Sequence, residues 1–159
     1  LLANTFIYFY LCIIFNQLHK YSAFDVSKQE YNQPKIKNMA TKETNTEAIL
    51  ELICHDIEEH AHNAEAAFAT MEKMNVTPEE YKKANWQFCL NSYVVRYLDR
   101  FMGMAALSES LKTIENRMRF HAHQQRTKGA LTDKQEISAA QATVAVLLDG
   151  YIEKFFEAE

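Results

Sequence analysis

The sequence predicts an all-α protein: an antiparallel up-and-down bundle of four helices, or of three long ones if the second runs on into the third. Three observations carry this. The 159 residues hold only three Gly and two Pro, so turns that need a positive or a fixed φ are scarce, which disfavours sandwiches and barrels. Apolar residues recur at helical spacing in several stretches. Helix-start signatures stand between those stretches. The length suits one domain with a real core.

Residues 1–38 read differently from the rest. Leu, Ile, Phe, Tyr, Asn and Lys dominate them, and they contain neither Gly nor Met; the first Met is Met39, followed by Ala40. The apolar run from Leu1 to Phe15 has no basic n-region and no small-residue cleavage site, and it is short for a membrane span. The expectation is that residues 1–38 are translation upstream of a start at Met39, with a truncated membrane anchor over residues 1–15 as the alternative. The helical-bundle domain is then 39–159.

The first helix is expected to follow the box Thr44-x-x-Glu47, in which hydroxyl and carboxylate each satisfy an orphan amide, and to run to about Met74. Its core stripe is Ile49, Ile53, Ile57, Ala61, Ala64, Phe68 and Met71, with His60 inside it. Thr77-Pro78-Glu79-Glu80 is the strongest start signal in the chain, combining a capping Thr, Pro at the first helical position and Glu three residues after the cap. The short connection before it predicts an antiparallel hairpin.

The second helix is apolar on two faces. At about 100° per residue, Tyr81, Ala84, Phe88, Val95, Leu98 and Met102 share one face, while Trp86, Leu90, Tyr93, Tyr97 and Met104 lie nearly opposite. Arg96, Asp99 and Arg100 in mid-run argue against a membrane span. A break is expected at Gly103 or at Ser108-Glu109-Ser110. The third helix, about Ser108 to Thr127, is expected to align Leu107, Leu111, Ile114, Met118, His121 and Gln125, and Lys128-Gly129 reads as its C-terminal stop. Thr132-x-x-Gln135 is expected to open a fourth helix with the stripe Ile137, Ala140, Val144, Leu147, Leu148, Tyr151 and Phe155.

Charge and composition exclude several classes. A formal net charge of -4 provides no global basic field for nucleic acid. Arg117, Arg119, His123, Arg126 and Lys128 form a local basic end on the third helix, which its dipole accounts for without a ligand. Scarcity of Gly rules out a glycine-rich phosphate loop and a dinucleotide fingerprint, and no Gly-x-Ser-x-Gly elbow occurs. Cys12, Cys54 and Cys89 contain no CxxC pair, so neither a disulfide framework nor a zinc knuckle is indicated. Reduced thiols and the acidic balance fit a cytoplasmic protein.

Two groups of residues bear on chemistry. His55, Glu59 and His62 lie in a His/Glu-rich part of the first helix, where Glu59-x-x-His62 resembles the ligand spacing of ferritin-like di-iron bundles and His55-x-x-x-Glu59 that of haemerythrin-like ones. The resemblance implies an iron or zinc site. Partner ligands on the other helices are missing, and helical phase turns these side chains to water. His60, Asn91, Asp99 and His121 fall near core phases and are expected to form a buried polar cluster, with Asp99 orienting an imidazole.

The sequence therefore favours a non-enzymatic interaction or assembly module with no cofactor, self-associating or binding a helical protein partner. Trp86, Leu90, Tyr93 and Tyr97 are the expected interface, buried against a second copy in a symmetric dimer. The competing class is a metal-binding bundle using His55, Glu59 and His62. Nucleic acid is disfavoured as a partner, and so is a membrane unless residues 1–15 are an anchor.

Overall fold

In the computed structural model, which describes residues 37–108 and 110–157 and their side chains from residue 45 onward, four α-helices follow one another: α1 (Lys37–Met71), α2 (Pro78–Ala106), α3 (Leu111–Leu131) and α4 (Gln135–Ile152). A π-helical turn, Glu153–Glu157, continues α4. No strand occurs among the described residues. They belong to one compact unit, Lys35–Glu159. The expectations for residues 1–38 lie outside the described residues, except that α1 is already helical at Lys37 and Asn38. Among the described residues, no helix is long and apolar enough to cross a membrane.

The helices are antiparallel neighbours, as pairs of contacts show. His60 meets Asn91 and Phe68 packs on Phe88, so α2 descends as α1 rises. Tyr93 and Tyr97 reach Gln125 and His121, which sets α3 against α2 in the opposite sense. Arg126 and Arg119 pair with Asp149 and Glu157, which closes the series with α4 and its terminal turn. The closest backbone packing is α1 on α2, α3 on α4, and α2 on α4; α2 and α3 have no comparable close approach. Two tight hairpins thus meet chiefly through α2 and α4.

The core follows the apolar phases. Ile49, Ile53 and Ile57 of α1, Val94, Leu98 and Phe101 of α2, Ile114 and Met118 of α3, and Val144 and Leu148 of α4 are all within 1% of complete burial. Each such aliphatic side chain contributes about 1.5–3 kcal/mol of transfer free energy. Ala64, Ala67, Ala84, Ala122, Ala140 and Ala145 are buried as well, and they let helix backbones approach. Among the described residues, no buried side-chain nitrogen or oxygen lacks a hydrogen-bond partner.

Helix ends correct the sequence reading in three places. Thr77 forms the complete capping box, accepting from the Glu80 amide at 3.2 Å while the Glu80 carboxylate accepts from the Thr77 amide at 2.9 Å. Thr44, by contrast, opens nothing: α1 begins at Lys37 and passes through it, because no Gly or Pro between 37 and 44 stops the helix. Helix α4 likewise begins after Lys134, with no side-chain cap. The Thr132 hydroxyl instead bonds the Lys128 carbonyl and the Gln141 side chain, each at 2.7 Å.

Gly129 is the third correction. It is not a C-terminal stop, since α3 continues to Leu131. A Cβ there would lie 3.3 Å from the Ser138 carbonyl oxygen of α4, so this glycine marks a close helix contact. Between α2 and α3 the break falls at residues 107–110, where the Ser110 hydroxyl accepts from the Thr113 amide at 3.2 Å. The helix runs through Gly103 undisturbed. Over the described residues four helices form rather than three.

Candidate functional site

Helix α2 has three neighbours, packing closely on α1 and α4 and reaching α3 through side chains. Phe88 and Asn91 turn to α1, whereas Tyr93 and Tyr97 turn to α3. By helical phase Trp86 and Leu90 share the side of these two tyrosines. All four of Trp86, Leu90, Tyr93 and Tyr97 are half-buried. The space between α2 and α3 is spanned by side chains rather than closed by backbone contact. The Tyr93 hydroxyl donates to Gln125 Oε1 at 2.8 Å, and the Tyr97 hydroxyl meets His121 Nδ1 at 2.6 Å.

These contacts form a seam. The rings of Tyr93 and Tyr97 stack at 6.2 Å, and the His121 imidazole stands edge-on to Tyr97, Phe101 and Phe120. Burial raises the Tyr97 hydroxyl above the usual phenol range, and the Gln125 side chain opposes that rise. Burial also lowers the His121 imidazole, helped by the positive charges of Arg117 and Lys128. Gln125, 1% exposed, is a polar residue that satisfies its burial through a tyrosine on another helix. Its polar side chain on an apolar phase is the signal by which the sequence marks it.

The four polar residues expected to cluster are brought together only in part. His60 Nδ1 and Asn91 Oδ1 lie 2.7 Å apart, and the Asn91 amide donates to the Gln87 carbonyl at 2.8 Å. The Asn oxygen can only accept, so the His60 proton sits on Nδ1. His121 belongs to the seam with Tyr97 and not to this pair. Asp99 hydrogen-bonds to neither imidazole; it is half-buried, its carboxyl raised by burial against the lowering effect of Arg100.

The metal candidates are also rearranged. His55, Asp56 and Glu59 bring one ligand atom each to within 4.8 Å of one another, and His62 lies outside the group. Seven residues from His55, His62 is about 10.5 Å further along the axis at 1.5 Å per residue, too far to share one ion. Asp56 stands in its place. One Asp56 oxygen is 3.6 Å from His55 Nδ1, while the other accepts from the Tyr151 hydroxyl at 2.5 Å. Tyr151 is almost fully buried, and burial, then this bond to Asp56, raises its hydroxyl far above the ordinary phenol range. All three candidate ligands come from one helix, without the facing ligands of a di-iron bundle.

One flank of the basic end of α3 is neutralised. Arg119 bonds Glu115 at 3.0 Å and Glu157 at 2.9 Å, and Arg126 bonds Asp149. Arg119, Arg126, Asp149 and Glu157 line a shallow groove of about 370 Å³ with Ile152 and Glu153. Arg117 and Lys128, on the other flank of α3, have no ion pair among the described residues. Compared with family models, curated proteins and solved structures, the chain matches none.

Proposed function

We propose that the protein is a non-enzymatic assembly module that associates with a second copy of itself through the open side of the α2–α3 seam, at Trp86, Leu90, Tyr93 and Tyr97. One observation carries the reading: Tyr93 and Tyr97 of α2 reach α3 through their hydroxyls, Trp86 and Leu90 share that side of α2 by helical phase, and all four side chains stay half-buried where the two backbones make no close approach. Phe120 and Leu131 of α3, 61% and 78% exposed, extend the apolar surface. They are eleven residues apart, so they share one face of α3. Aromatic side chains with polar tips amid Arg and Asn have the composition of an interface. The cytoplasm is the compartment this reading assigns, and the free thiols Cys54 and Cys89, both raised by burial, suit it.

The test is mass in solution. Light scattering of the full chain at tens of micromolar should give more than the 18.5 kDa of one copy, and Trp86→Glu with Leu131→Glu should return it to one copy. A single-copy mass for the unaltered chain at that concentration overturns the reading. The competing metal-binding class has the His55, Asp56 and Glu59 group in its favour. Stoichiometric iron or zinc in untagged protein, lost in His55→Ala, would favour that class instead.

A further inference from the structure

The seam has a rim of one sign. On α2, Arg96 and Arg100 are exposed, and helical phase puts both within about 60° of Tyr93. On α3, Arg117 and Lys128 are exposed and close enough to His121 to lower its affinity for a proton. None of the four has an ion pair among the described residues. The acids of α2 lie elsewhere, Glu79 and Glu80 in its first turn and Asp99 on the α1 side by phase.

The outer face of α1 has the opposite sign. Glu51, Glu58, Glu59 and Glu65 are exposed there, on phases turned away from the Ile53/Ile57 stripe. They too have no ion pair among the described residues. Ala66 and Ala69, both exposed, are the small residues of that face. One molecule therefore carries an aromatic seam with a basic rim and, on another helix, a free acidic face.

We propose that assembly is head-to-tail: the basic-rimmed seam of one copy receives the acidic outer face of α1 from the next. This rests on the self-association proposed above and names which surface of the second copy fills the seam. A two-fold contact of seam on seam sets Arg96, Arg100, Arg117 and Lys128 against their own copies, where like charges repel. The head-to-tail contact sets them against carboxylates. A self-complementary patch closes as a dimer, whereas two different patches leave a free end on every dimer and build a ring or a growing chain.

The experiment follows the mass of the full chain by light scattering against concentration and salt. Mass should rise past two copies as concentration increases, and fall from about 0.01 M to about 1 M salt, over which the screening length contracts from roughly 30 Å to roughly 3 Å. Arg96→Glu with Arg100→Glu, and separately Glu58→Lys with Glu59→Lys, should each weaken self-association at least about tenfold. Mixing the two variants should restore it, because each keeps the surface the other has lost. All four residues are exposed, and unchanged helical circular dichroism would show that both variants fold. A plateau at two copies, or self-association indifferent to Glu58→Lys with Glu59→Lys, overturns the head-to-tail contact and leaves self-association standing. A single-copy mass at every salt concentration overturns both.

Discussion

The α3–α4 contact and the α2–α3 seam are built from opposite materials. Each joins antiparallel helices across a short connection, residues 132–134 in one case and 107–110 in the other. Yet α3 and α4 pack backbone to backbone, and α2 and α3 do not. At the α3–α4 contact Gly129 lies against Ser138, Gln141 and Ala142, the Ser138 hydroxyl donates to the Gly129 carbonyl at 2.6 Å, and Ala122, Ala140 and Ala145 are the small buried residues of the two helices. The seam is made by tyrosine, histidine and glutamine, which reach across and bond at their tips. Side-chain size rather than connection length sets the separation, so small residues make a scaffold and long polar-tipped ones leave a surface.

The largest effect should come from the buried core outside the seam. Val95 on the α1 side of α2 is 4% exposed, and Val95→Asp places a carboxylate there without a partner, at a cost of about 4 kcal/mol or more. Thermal or urea unfolding should show the variant largely unfolded or close to it. Gly129→Val ranks next, because its Cβ meets the Ser138 carbonyl at 3.3 Å and Gln141 Cβ at 3.5 Å, and overpacking of this kind costs roughly 1–3 kcal/mol. A Gly129→Val variant as stable as the parent would mean that α3 and α4 do not approach as described.

Those two sites also show what the sequence makes legible. Helical phase found Val95 and the isoleucine stripe of α1, because burial repeats with the period of the helix. It also set Tyr93 and Tyr97 on a face of their own. What phase does not encode is the axial level and identity of the neighbour: His60 and His121 both fall on core phases, yet one finds Asn91 and the other Tyr97. The exchange of His62 for Asp56 beside His55 has a different origin: within one helix the axial distance follows from the spacing alone, so the sequence already sets His62 too far from His55. Local signals fail where one motif serves two ends. Thr77 caps α2 because Pro78 prevents the helix from continuing upstream, whereas Thr44 follows residues that can themselves be helical. Glycine near a helix terminus means a left-handed stop or a close contact, and only the fold distinguishes them at Gly129.

The seam should respond to pH where the scaffold does not. Burial, then Arg117 and Lys128, hold the His121 imidazole below its ordinary value, so the neutral ring is the form the fold prefers. The contribution is therefore complete above the unfolded value of about 6.5 and is lost as pH falls through the lower folded value. His121→Gln keeps an acceptor for the Tyr97 hydroxyl and removes the titration. Urea midpoints should fall on acidification more steeply for the parent than for His121→Gln; equal slopes would mean that His121 is solvated in the fold.

The smallest change in stability should accompany one of the larger changes in behaviour. Phe120 is 61% exposed and meets the seam through the edge contact of its ring with His121, 5.5 Å between centroids. Phe120→Ser removes an apolar surface that folding has left mostly in water, so its effect on unfolding free energy should stay within about 0.5 kcal/mol. If the seam is an assembly surface, that same ring is buried when copies meet, and aromatic anchors at such contacts are each worth roughly 2 kcal/mol or more. The unfolding midpoint in urea should then hardly move, while the concentration needed for self-association rises at least about tenfold. A variant that loses stability and keeps its association would place Phe120 with the scaffold, and the division between a packed α3–α4 contact and an open α2–α3 seam would have to be redrawn around it.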